Sequence, residues 1–176
     1  MRSALLIFLC LLSIQLFATE KEKKELKTPG EAVTDLVYKT INGQDLKLDI
    51  YYPYEEIYEK TPVVIYIHGG GWAEGKKEQL FRSFGSDVVD TLRNSGYAMI
   101  SIQYRLVSDS LHFPAPVEDC KDAVRWVKKH ASEYNFDMEN IGLFGVSAGG
   151  HLAMLTGYSG EDEFVGAPEL CGYSAA

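Results

Sequence analysis

Two junctions limit the folds open to this chain, because in each a strand-like apolar run ends abruptly on glycines. The first is Val63-Val-Ile-Tyr-Ile67 leading into His68-Gly-Gly-Gly-Trp72, and the second is Asn140-Ile-Gly-Leu-Phe-Gly-Val-Ser-Ala-Gly-Gly-His151. In the second, Gly145 and Gly149 flank Ser147 in a Gly-x-Ser-x-Gly spacing. The missing side chains let a strand and a helix approach closely while the serine takes a strained backbone conformation. By composition alone this spacing arises in roughly one chain in twenty of this length. Its meaning therefore rests on what surrounds it.

The surroundings alternate. Val33 to Tyr51 reads as a hairpin turning at Asn42-Gly43, with Leu46, Leu48 and Ile50 alternating against Lys47 and Asp49. Pro53 closes it, and Tyr51, Tyr52, Tyr54 and Tyr58 read as packing residues. Val63–Ile67 suits a strand covered on both faces. A helix is predicted over 77–94, with Phe81, Phe84, Val88 and Leu92 on one face and Gly96 as its terminator. Tyr97 to Tyr104 is the next buried strand. A helix over 117–133 follows, with Val117, Cys120, Val124, Val127 and Ala131 on its dry side and Lys121, Asp122, Arg125, Lys128 and Lys129 on its wet side. Asn140 to Val146 is the third buried strand, and a helix over 148–156 follows the serine. This order predicts an α/β fold: a mostly parallel sheet with helices on both faces and an antiparallel hairpin at one edge. Both glycine junctions then lie at the carboxyl ends of parallel strands, where chemistry gathers in such sheets.

With 46% hydrophobic and 24% charged residues the 176-residue chain has the composition of one globular domain. We divide it into a signal peptide at 1–19, a linker at 20–30 and a domain at 31–176. Arg2, the 14-residue apolar run Ala4–Phe17 and the charged stretch from Glu20 have the order of an export signal, and the run is shorter than the ~20 residues of a membrane span. A secreted or periplasmic location and no stable membrane span are expected. Losing that segment moves the net charge from -8 to -9, which disfavours nucleic acid as a partner. Cys120 and Cys171 are expected to be free thiols.

A serine hydroxyl needs a base to attack a carbonyl, and the oxyanion that forms needs preorganised donors. The backbone N–H of Ala148 opens a helix, and Gly69, Gly70 and Gly71 let bare backbone approach the same point, so Gly70, Gly71 and Ala148 are the candidate oxyanion donors beside Ser147. Trp72 lines the pocket or packs beside the glycine loop. His68 is read as fixing that loop by hydrogen bonding, and His151 as a core histidine. Arg105 and Asp119 are expected to pair within about 6 Å. No histidines show metal-ligand spacing, and neither a metal nor a cofactor is expected.

In combination, His68-Gly-Gly-Gly-Trp72, Tyr104-Arg105, Phe113-Pro-Ala, Glu118-Asp119, Ala123-Val-Arg-Trp126 and Gly145-Val-Ser-Ala-Gly-Gly-His-Leu-Ala153 resemble the amino-terminal two thirds of an α/β-hydrolase. The similar branch holds the hormone-sensitive-lipase-like carboxylesterases and the acetylxylan and feruloyl esterases, the latter nearer through Gly71-Trp72 and Gly75-Lys76. The resemblance implies a carboxylic-ester hydrolase, acting on a small or polysaccharide-linked ester, with Ser147 as nucleophile. It also implies an acid and a histidine after the serine, for which Glu161, Asp162, Glu163, Glu169 and His151 offer no matching positions. The chain is thus expected to be truncated after the helix that follows the serine, weakly active or inactive, and prone to self-association through an exposed sheet edge. A non-enzymatic binding remnant and a formamidase-like amide hydrolase are the alternative readings.

Overall fold

Asn42 and Gly43 both have positive φ, 51° and 76°, as a two-residue hairpin turn requires. In the computed structural model, which describes residues 31–81 and 86–175, they join β1 (Ala32–Ile41) to β2 (Gln44–Tyr51) as an antiparallel pair. The expected signal and linker, and Phe84, lie outside the described residues. With β3 (Thr61–Ile67), β4 (Ala98–Ile102) and β5 (Phe136–Gly145) the strands form one sheet in the order β1-β2-β4-β3-β5. β3 runs parallel to β4 and β5, and β2 runs antiparallel to β4, so the hairpin occupies one edge as predicted.

Side chains on β3 alternate between two cores. Val63, Ile65 and Ile67 join the larger cluster, which packs against α2 (Ala115–Lys129) and α4 (Ala148–Tyr158). Tyr66 joins Leu80, Val89 and Met99 on the other face, beneath α1 (Ser86–Asn94). Each fully buried Ile or Val contributes about 1.5–3 kcal/mol, which is why the β-branched runs sit mid-sheet.

Four local expectations are corrected. The helix over 77–94 is a 3₁₀ turn at Lys77–Phe81 followed by α1. Lys77 is drawn under the sheet, where its Nζ reaches the Asp49 carboxylate at 2.8 and 2.9 Å, and Val89, not Val88, is fully buried. The helix over 117–133 is interrupted at His130, and a short α3 (Ala131–Tyr134) follows.

The wet side expected for α2 is mostly dry. Lys121, Asp122 and Arg125 are buried with the apolar face, leaving Lys129 exposed. They are buried because each finds a partner. Lys39 Nζ from β1 stands 2.7 Å from both Asp119 and Asp122, and Arg125 lies 2.9 Å from Asp122. Lys121 Nζ donates to Ser159 Oγ and to the carbonyls of Gly160 and Glu163. A buried charge is tolerated only with such partners.

Finally, β5 is not a buried strand. It is the outer strand beside β3, and most of its residues after Phe136 are exposed or half-buried despite Met138, Ile141, Leu143 and Phe144. Along this edge a groove of about 800 Å³ is lined by Ile141, Leu143, Met154 and Tyr158, among others.

Candidate active site

The chain leaves β5 at Gly145 and enters α4 at Ala148, turning on Ser147 with φ 55° and ψ -120°. That conformation costs a non-glycine residue about 1–2 kcal/mol. The surroundings enforce it. A β-carbon on Gly145 would overlap the backbone of Gly149, and one on Gly149 would overlap the Ile67 carbonyl, so strand, helix and β3 close on one another only with glycine at both places. The Gly149 N–H donates to Val146 O at 3.0 Å and the His151 N–H to Ser147 O at 3.1 Å, which starts the helix directly beneath the serine. Ser147 is left exposed at the tip while Ala148 is buried.

The glycine loop abuts this turn. A β-carbon on Gly69 would lie 2.7 Å from Val146 O and 3.6 Å from Ser147 Cβ. Gly70, Gly71 and Trp72 follow with φ of 122°, 58° and 65°. The Gly70 carbonyl accepts from the N–H groups of Ala73 and Glu74, which folds the loop back on itself.

His68 supports the loop from below. Its Nδ1 donates to Gly69 O at 2.8 Å, its ring stacks on Tyr104 at 4.3 Å, and the Tyr104 hydroxyl donates to His68 O at 3.0 Å. Gly75, with φ 113°, passes so close to the imidazole that a β-carbon there would overlap it. Burial pulls the imidazole pKa below its ordinary value, which favours the neutral ring. Tyr104 and Gly75 were not singled out as supports from the sequence. The six-residue step from Gly69 to Gly75 was the available signal.

Two further expectations are settled by geometry. Arg105 and Asp119 form a bidentate pair at 2.8 Å, reinforced by the Arg105 backbone N–H on the same carboxylate. This pins the start of α2 beside the end of β4. His151 is not a core histidine: it is exposed, and its ring meets the exposed ring of Trp72 edge to face at 5.4 Å. One helical turn past an exposed serine, it emerges on the open side of α4.

Among the described residues neither a histidine nor an acid hydrogen-bonds the Ser147 hydroxyl. Glu161, Asp162 and Glu163 follow the far end of α4, an 11-residue helix that spans about 16 Å. Glu163 accepts from the Gly160 N–H there. Among the described residues no cluster of three or more His, Cys, Asp or Glu could hold a metal, and Cys120 and Cys171 are both free thiols.

Residues 48–170 match the BD-FAE family model, and the chain belongs to that family of esterase-like hydrolases, with the α/β-hydrolase fold. It is 31% identical over 157 residues to carboxylesterase NlhH of Mycobacterium tuberculosis, covering 84% of this chain and 45% of that one. It is also 30% identical over 167 residues to methylphloroacetophenone synthase of Cladonia uncialis, of which it covers 6%. Among solved structures, Thermogutta terrifontis esterase 2 phosphorylated by paraoxon superposes with a TM-score of 0.69 at 29% identity, covering 85% of this chain and 55% of that one. The chain thus spans about half the length of those two esterases.

Proposed function

We infer that this chain carries the nucleophile and oxyanion-binding half of a serine carboxylesterase site. Ser147 Oγ would attack an ester carbonyl, forming an Oγ–C bond as the carbonyl π electrons move onto oxygen. That oxyanion would be held by the N–H groups of Ala148, at the positive end of α4, and of Gly70 and Gly71. Collapse expels the alcohol, which takes up the serine proton, and leaves an acyl-serine for water to hydrolyse. Gly145 and Gly149 hold the turn, and His68 and Gly69 hold the loop. A relative phosphorylated by paraoxon is in keeping with an accessible nucleophile in this fold. A small or polysaccharide-linked ester is the proposed substrate, met outside the cytoplasm after export on residues 1–19.

The observation that carries this reading is the strained Ser147 turn locked against the glycine loop. Its test is labelling by a fluorophosphonate. Wild-type protein should label once, at Ser147, and Ser147→Ala should not label; wild-type protein that never labels would overturn the reading. Steady turnover of p-nitrophenyl acetate by this chain should be low, because among the described residues no base or acid meets Ser147, and an oxyanion hole alone leaves only about 10³–10⁴ over water.

That no histidine hydrogen-bonds Ser147 among the described residues favours one second reading, a binding remnant that holds esters without turnover. It would retain ester binding while giving neither labelling nor hydrolysis.

A further inference from the structure

His68 is only 1% exposed, yet just one of its ring nitrogens is used. Nδ1 stands 2.8 Å from the Gly69 carbonyl oxygen, which can only accept, so Nδ1 carries the ring proton. Burial disfavours a second proton on the same ring. Nε2 is therefore a bare acceptor, and among the described residues no donor reaches it. The ring cannot swing to find one, because it is stacked on Tyr104 on one side and closely flanked by Gly75 on another.

The imidazole lines a pocket of about 620 Å³ between the tip of the β1–β2 hairpin, the Gly75-Lys76 end of the glycine loop and the segment after β4. Ser147, Gly70, Gly71 and Ala148 do not line it, so it is separate from the ester site. Its walls are mixed. Leu46, Leu106 and Leu111 supply apolar surface, while Gln44, Ser108 and Ser110 supply amide and hydroxyl groups.

These walls narrow what can occupy the pocket. The occupant has to donate a hydrogen bond to Nε2, which a carboxylate or phosphate dianion cannot do. A cation is also disfavoured there. Lys76 and Arg105 line the pocket and directly follow Gly75 and Tyr104, the two residues set against the imidazole. The leucines call for a carbon skeleton behind the donor.

We propose that this pocket binds a small neutral alcohol whose hydroxyl donates to His68 Nε2, and that the alcohol acts as an effector of the glycine loop. Hydrogen bonds in a chain polarise one another. A hydroxyl on Nε2 draws charge through the imidazole and strengthens the Nδ1–H bond to Gly69 O, which steadies the loop that carries the Gly70 and Gly71 N–H groups. His68 is a positioning residue in this scheme and transfers no proton. Binding needs nothing from Ser147, so the site stands apart from the nucleophile reading.

The test is a titration of the full chain with trans-cyclohexane-1,2-diol, followed by NMR at the His68 ring nitrogens and at the Gly70 and Gly71 amides. The controls are 1,2-dimethoxycyclohexane, which keeps the skeleton but has no donor, cyclohexanecarboxylate and cyclohexylammonium. His68→Gln identifies the ring signals among those of the four histidines. The diol should move the Nε2 resonance and saturate it, with the Gly70 and Gly71 amides following the same binding curve. The ether and both ions should bind about three- to tenfold more weakly. Ser110→Trp, which fills the pocket from an exposed position, should weaken the diol about tenfold or more. A His68 ring that the diol does not move, or an ether or ion that binds as tightly as the diol, overturns the site. Amides of Gly70 and Gly71 that stay still while the ring saturates overturn the effect on the loop. If Ser110→Trp fails to fold, the wild-type titrations decide alone. Protein whose Ser147 carries a phosphonyl group should still bind the diol saturably, and complete loss of binding there would place the diol in the ester site and overturn the proposal. A serine that never labels removes the nucleophile and leaves the diol titration standing.

Discussion

His68 is the residue whose environment most directly couples the site to stability. Its imidazole is buried, donates from Nδ1 to Gly69 O and is pushed by burial below its ordinary pKa. In the unfolded chain it titrates near 6.5, so between that value and the lower folded one the unfolded state holds more protons. Stability therefore falls as pH drops through about 6.5, and the loss is complete below the folded value. Denaturant midpoints measured from pH 7.5 to 5 should decline, and His68→Gln should flatten that limb. An identical slope in the variant would remove His68 as the cause. The position of this histidine was legible from its place before three glycines. The stacking of Tyr104 on it was not, because it depends on β4 lying next to β3, and sheet order is not written in local periodicity.

Among the elements, α2 shows where local reading stops. Its dry face follows the 3.6-residue period, yet Lys121, Asp122 and Arg125 are buried as well. Charged residues at helical spacing look solvated unless the partner is known, and Lys39 is 80 positions from Asp119 and 83 from Asp122. The Arg105–Asp119 pair was readable because an arginine just past a strand end and an acid early in the next helix can meet across the loop between them. Asp122 accepts from Lys39, Arg125 and the Ala167 N–H. Replacing it by alanine leaves buried Arg125 without its carboxylate and Lys39 with Asp119 alone, at a cost of about 3–5 kcal/mol. Thermal unfolding should therefore fall by roughly 10 °C or more for Asp122→Ala, whereas exposed Lys129→Ala should stay within about 0.5 kcal/mol of wild type.

At the scale of the whole molecule, the open face beyond β5 dominates. Met154 is 63% exposed, Tyr158 is 90% exposed, and before Tyr158 α4 carries only His151 and Thr156 as polar side chains, so this helix offers water a largely apolar surface. Beside it runs an outer strand with no neighbour on its far side among the described residues. Such an edge is a template for pairing, and we propose that copies of this chain self-associate through it. Light scattering should give a mass that rises with concentration, and Met154→Lys combined with Tyr158→Lys should lower it. A sharp monomer peak for the wild type with cooperative unfolding would count against the idea. The sheet also works as a ruler. Ile67 lies opposite Gly145 in the parallel ladder from Val63 and Ile141 onward, whereas the pairing before Ile141 is irregular. Deleting one residue between 141 and 145 would draw Ser147 back by about 3.3 Å and turn the following side chains to the opposite face. Length changes should therefore be tolerated before Ile141 and in the loops between the two glycine junctions, and forbidden in the five residues that measure the distance to the serine.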